Sequence, residues 1–166
     1  NDPVFILAVK QGAHVPYQDD YPPAEEHFAP ALQSGEGLAS REKALNSYLN
    51  AVRWNVDKFL AELLKGLEGK DYLIVYTSDH GQNILENNSN VTHCTKGAAP
   101  WTEGTVPFLV AGSSSEIFGR LSSAFAGKVN HATHYDIFPS LLISFGYDAS
   151  EVRAIYGPSL LDSQAY

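Results

Sequence analysis

The chain has 166 residues, 44% hydrophobic and 18% charged, which excludes a disordered or collagen-like polymer and fits one globular domain or a piece of a larger one. Its 11 Lys and Arg against 19 Asp and Glu give a net charge of −8, so no basic surface is on offer to a nucleic-acid backbone. A single cysteine, Cys94, cannot close an intrachain disulfide, and the lack of any Met is read as a sign that Asn1 is not the natural start.

Val4–Val9 is short, continuously apolar and β-preferring, and is expected to form a buried strand covered on both faces. Residues 10–40 carry Pro16, Pro22, Pro23 and Pro30 with Gly12, Gly35 and Gly37, and read as a long irregular loop of functional or lid character. From Ser40 the period becomes 3.6. Leu45, Tyr48, Leu49, Val52, Val56, Phe59, Leu60, Leu63 and Leu64 make one apolar stripe, predicting a helix of roughly 25 residues capped by Ser40 and stopped by Gly69. A second strand is expected over Tyr72–Thr77, then a polar stretch over 78–105, a third strand over Val106–Ala111, a helix near Ser115–Ala126 and a last helix over Tyr135–Phe145 with Pro139 in its first turn. That rhythm predicts an α/β fold with a mostly parallel sheet, helices on both faces, and too few strands to be complete. No run is long enough to span a membrane and no leader is visible, so any membrane contact is expected through parts outside this segment.

Ligands of open α/β sheets bind beyond the carboxyl ends of the strands. The first strand runs into Gly12-Ala13-His14-Val15-Pro16-Tyr17, the second into Ser78-Asp79-His80-Gly81-Gln82, and the loop after it carries Thr92-His93-Cys94. Asp79 and His80 form the sharpest pair, since Gly81 permits a turn that brings both inward. A carboxylate oxygen with an imidazole nitrogen suits zinc or manganese better than calcium, which prefers oxygen throughout. The alternative is that Asp79 caps the next segment and His80 is a polar loop residue. His14 and His93 gain weight only beside that pair, as ligands of a second metal or holders of an anionic substrate. His27 reads as a surface residue, and His131 and His134 as neutral or capping residues at the last helix. Cys94 reads as a small buried residue or the partner of an absent cysteine, with thiolate ligation as the alternative. The sequons Asn87-Asn88-Ser89 and Asn90-Val91-Thr92 are of a kind that arises often by chance. No Gly-rich phosphate loop, Gly-x-Ser-x-Gly elbow or marked Ser or Thr nucleophile is present.

Tyr76-Thr77-Ser78-Asp79-His80-Gly81 after an apolar strand resembles the metal-binding strand end of the sulfatase and alkaline-phosphatase superfamily. The Gly12-to-Tyr17 element, Tyr21-Pro22, the helix with Tyr48-Leu49-Asn50-Ala51-Val52, Thr92-His93, Val106-Pro107-Phe108 and Tyr135 to Leu142 follow in similar order. Among the branches, the membrane-anchored lipid A phosphoethanolamine transferases are most similar. The resemblance implies that residues 1–166 are the C-terminal part of an alkaline-phosphatase-like three-layer αβα catalytic domain, whose nucleophile lies in an absent N-terminal half. It further implies that Asp79 and His80 bind a catalytic Zn²⁺ (alternatively Mn²⁺ or Ca²⁺), and that His14 and His93 contact the transferred phosphoryl group or a second zinc. The implied activity is two-step transfer of a phosphoethanolamine-type group through a covalent phospho-enzyme, on the periplasmic face of the inner membrane, with a lipid or small-molecule phosphate or sulfate ester as substrate. The segment alone is then expected to be inactive. Gln82 and Cys94 depart from the Glu and Gly usual in the transferases, which leaves the branch open to a sulfate or phosphate ester hydrolase, or to a non-catalytic sulfatase-like binding domain.

Overall fold

The computed structural model describes residues 4–86, 92–113, 116–126, 128 and 130–162. Both sequons fall chiefly on residues 87–91, outside the described residues. The chain divides into two units, Asn1–Glu68 with Asp79–Val106, and Gly69–Ser78 with Pro107–Tyr166.

In the first unit, residues 10–40 are irregular as expected, broken by 3₁₀ turns at Tyr17–Asp19 and Pro23–Glu25. The long helix also forms: α1 (Arg41–Val52) passes through a π-helical stretch, Arg53–Lys58, into α2 (Phe59–Gly66). Ser40 caps it, its side chain accepting from Lys43 N, while α2 ends at Gly66 with Leu67 at its C-cap, two residues before the expected stop at the left-handed Gly69 (φ +72°). The buried face differs from the predicted apolar stripe. Ala44, Ser47, Asn50 and Ala51 are the buried residues of α1, while Leu45, Tyr48 and Leu49 are only partly covered.

The reason is the loop lying on the helix, which brings backbone groups that no strand or helix satisfies. Ser47 Oγ accepts from Leu32 N at 2.8 Å. Asn50 Oδ1 accepts from His27 N and Phe28 N at 2.9 and 2.8 Å, and its Nδ2 donates to Phe28 O at 2.9 Å. The small core beside these bonds is Tyr17, Leu32, Ala44 and Ile84.

The second unit holds β1 (Leu73–Thr77) and β2 (Phe108–Gly112). Both expected strands are present, but they pair antiparallel, Leu73 opposite Gly112 and Thr77 opposite Phe108, which corrects the parallel arrangement for the described sheet. A parallel return needs a crossover of a dozen or more residues, usually a helix. Between β1 and β2 the described residues offer only α3 (Trp101–Gly104). The expected strand at Val4–Val9 is also corrected: no strand forms there, and Val4 and Val9 are 80% and 88% exposed. A strand exists through its pairing, and among the described residues the sheet has two strands, β1 and β2.

The helices α4 (Glu116–Ala126) and α5 (Ile137–Ser144) match the expected ones. With the sheet they enclose an apolar cavity edge formed by Val75, Val110, Leu121, Ile137, Leu141 and Leu160. A further helix, α6 (Ala149–Tyr156), was not expected. Asp148 caps it by accepting from Ser150 N and Glu151 N at 2.9 and 3.0 Å, and the Asp-x-x-Glu spacing of 148–151 is the sequence signal for that start.

Candidate functional site

All four predicted site residues fall in the first unit, on three separate loop segments that local bonds fasten together. The Asp79–Gly81 turn follows β1 and rests on the backbone of residues 102–105. Gly81 N donates to Glu103 O at 2.8 Å, and a Cβ on Gly81 would lie 2.0 Å from Thr102 O and 2.5 Å from Thr105 O. Only a glycine allows that approach. The next residues reach the other two segments: Gln82 Nε2 donates to Tyr17 OH at 2.5 Å, three residues after His14, and Asn83 N donates to Thr92 O at 2.7 Å, one residue before His93.

These bonds bring three imidazoles together. The His80 and His93 rings stack with centroids 4.2 Å apart and planes 18° from parallel, and His14 meets His93 edge-on at 6.3 Å. Each ring is oriented through Nδ1. His80 Nδ1 faces Gly81 O at 2.7 Å and His14 Nδ1 faces Val15 O at 2.6 Å. A carbonyl oxygen can only accept, so in the neutral rings Nδ1 carries the proton and Nε2 keeps the lone pair. This backbone-carbonyl contact is the usual support of a metal-binding or proton-handling imidazole. His93 Nδ1 lies 3.2 Å from Thr92 Oγ1.

His80 Nε2 is 3.9 Å from Asp79 Oδ1, with the Asp79 side chain 90% exposed and that of His80 37%. Two ligands about 2.0–2.1 Å from a tetrahedral zinc stand roughly 3.4 Å apart, so a small rotation of the exposed carboxylate brings both to one ion. The pair therefore fits as part of a zinc site. Among the described residues no group of three or more His, Cys, Asp or Glu is gathered for a metal, so these residues supply two ligands and not a full set. The imidazole argues against calcium, which takes oxygen ligands.

Carboxylates and a phenol around the histidines were not visible in the sequence as site residues. Asp20 Oδ2 accepts from His14 N at 2.6 Å, while burial raises its carboxyl above the ordinary value and the His14 bond works against that rise. The phenol of Tyr17, fully buried, is pushed by burial up to about 12, with the Gln82 bond opposing. Glu103 is buried, 8% exposed, and its carboxylate accepts from Thr95 N at 3.0 Å and Thr95 Oγ1 at 2.5 Å. Those two bonds hold it below the usual carboxylate range, aided by neighbouring His93. No local pattern signals these three, because each partner is reached through the fold.

The remaining candidates lie apart from the three rings. His27 packs edge-on against Phe28, and His134, in the second unit, has its Nε2 3.2 Å from Thr77 Oγ1. Cys94, next to His93 and with a left-handed backbone at φ +61°, is exposed, which corrects its reading as a small buried residue.

Comparison with known proteins adds the lineage. Residues 1–147 match the model of the Sulfatase family. The chain is 26% identical over 151 residues to the Kdo(2)-lipid A phosphoethanolamine 7''-transferase of Salmonella typhimurium, covering 86% of this chain and 26% of that protein. It is 29% identical over 164 residues to phosphoethanolamine transferase EptA of Helicobacter pylori, covering 96% of this chain and 30% of that one. The chain thus spans less than a third of the length of these relatives. Among solved structures, the C-terminal periplasmic domain of phosphoethanolamine transferase EptC from Campylobacter jejuni is similar at a TM-score of 0.76 and 24% identity, over 94% of this chain and 50% of that one. The soluble domain of lipooligosaccharide phosphoethanolamine transferase A from Neisseria meningitidis follows at 0.58 and 26%, over 68% of this chain and 37% of that one. The mixed α/β architecture is therefore that of the sulfatase-fold domains. With the family model spanning residues 1–147, the chain belongs to the Sulfatase family.

Proposed function

We propose that residues 1–166 are the C-terminal part of the three-layer catalytic domain of a zinc-dependent phosphoethanolamine-type transferase. It acts on a glycolipid or glycan at the periplasmic face of the inner membrane, through a parent protein that supplies the nucleophile, the remaining zinc ligands and any membrane anchor. The observation carrying this reading is the stacked His80–His93 pair, with His14 at its edge and Asp79 at its side. The phosphoethanolamine transferases among its relatives favour transfer over hydrolysis. No helix among the described residues is long and apolar enough to cross a membrane.

Asp79 and His80 Nε2 hold the zinc in this reading. When bound, zinc supplies a Lewis acid that lowers the pKa of a hydroxyl nucleophile and balances phosphoryl charge. His14 and His93 turn Nε2 toward the phosphoryl group, hold its oxygens when protonated, and exchange a proton with the departing and entering oxygens. The backbone carbonyls at Val15 and Gly81 keep the His14 and His80 rings from turning.

Two ligands fall below the three protein ligands usual in catalytic zinc sites, so the 166 residues alone are expected not to turn over p-nitrophenyl phosphate. The test is His80→Ala in the full-length parent. Loss of stoichiometric zinc together with phosphoethanolamine transfer is expected, and wild-type transfer with wild-type zinc would sink the assignment.

A further inference from the structure

Glu103 is a buried carboxylate that this chemistry does not use, and it sits where the two histidine-bearing segments meet. Its backbone oxygen takes the Gly81 N–H, one residue beyond His80. Its side chain takes both donors of Thr95, two residues beyond His93. The Gly81 N–H bond at 2.8 Å ties the Asp79–Gly81 turn to residues 102–105, in an approach too close for any Cβ. The 92–95 segment has a looser hold. Thr92 O receives Asn83 N, and beyond His93 the Thr95-to-Glu103 bonds fasten it to the same shelf. One residue thus fixes both sides of the stacked ring pair, by its main chain on one side and its side chain on the other.

We propose that Glu103 is a positioning residue: through Thr95 it holds His93 in register with His80, so that the His93 imidazole meets the phosphoryl group beside the metal that His80 would hold. This rests on the role given above to His80 and His93. Charge-assisted bonds to a carboxylate are stronger than neutral ones, and burial shields these from competing water. A single buried carboxylate with two donors from one residue sets the 92–95 segment in position and angle, where one neutral bond would leave it free to swing.

Because the Gly81 bond uses the main chain, it survives any side-chain change at Glu103, and this separates the two halves of the device. In the full-length parent, Glu103→Ala is expected to lower kcat for phosphoethanolamine transfer by about 10–100-fold, the range typical of outer-shell losses. Zinc affinity, read by chelator competition, stays at the wild-type level. Glu103→Gln keeps an acceptor for Thr95 N and an amide donor for the Thr95 hydroxyl, and is expected to recover most of the loss. Thr95→Val, which retains only the backbone donor, falls between wild type and Glu103→Ala.

Wild-type kcat in Glu103→Ala would overturn the proposal, as would Glu103→Gln no better than Glu103→Ala. Parallel loss of zinc and activity in Glu103→Ala would also overturn it, since that marks a general support of the fold. His80→Ala in the same assays keeps the two readings apart. If it retains zinc and activity, the metal assignment has failed; if it is dead while Glu103→Ala is normal, only the positioning role has.

Discussion

Replacing Gly81 by alanine adds one methyl group at the point where the Asp79–Gly81 turn lies on the 102–105 backbone. Gly81 is not among the left-handed glycines, so the effect is steric and not conformational. Moving the added Cβ from 2.0 Å to an ordinary 3.4 Å from Thr102 O requires a displacement of about 1.4 Å, and the atoms it meets are backbone oxygens that cannot rotate away. The same shift stretches the 2.8 Å bond from Gly81 N to Glu103 O beyond hydrogen-bond range. Overpacking costs about 1–3 kcal/mol and the lost bond about 0.5–1.5 kcal/mol, so a total of roughly 2–4 kcal/mol is expected. For a chain of this size that corresponds to a fall in Tm of about 4–16 °C. Thermal unfolding followed by circular dichroism reads the fall, and zinc titration of the full-length parent reads a loss of metal affinity. Gly81→Ala with an unchanged Tm and unchanged zinc affinity would refute the close-contact argument.

Burial favours the neutral phenol of Tyr17, whose ionisation is pushed from 10.0 to about 12. The unfolded chain ionises first, so this contribution is complete below pH 10 and is lost as pH rises toward 12, amounting to at most roughly 3 kcal/mol. Urea unfolding between pH 8 and 11.5 should show that alkaline loss in the wild type and a flatter curve in Tyr17→Phe; parallel curves would contradict the assignment. In the second unit, Ser140 Oγ donates to Asp136 O at 2.5 Å and accepts from Leu160 N at 2.8 Å. Ser140→Ala leaves that buried N–H unpaired and should lower stability by about 1–3 kcal/mol in urea unfolding, whereas a change within error would mean the bond is replaced.

Elements governed by local chemistry were legible in the residues. The Ser40 cap and the 3.6-residue period mark the long helix, and β-preferring apolar runs mark β1 and β2. The strand-end rule also placed His14, Asp79, His80 and His93 on loops that do bring three rings together. Elements governed by pairing were not. Val4–Val9 has the composition of a buried strand but no pairing in the described sheet, and the orientation of β2 depends on what lies between the strands. The buried face of α1 is likewise not legible, because an apolar stripe cannot show that a loop's unpaired N–H groups will call on Ser47 and Asn50.

By itself the sequence determined which candidate donors stand at the strand ends, since the donor atoms of Asp79, His80, His14 and His93 are properties of the side chains and a glycine at position 81 is a property of the chain. Only the tertiary structure decided how those donors are aimed. The stacking of His80 on His93, the shelf under Gly81, and the Glu103 carboxylate holding Thr95 all join residues separated along the chain. Local propensity cannot encode such contacts, because burial and close approach arise only when distant segments are packed together.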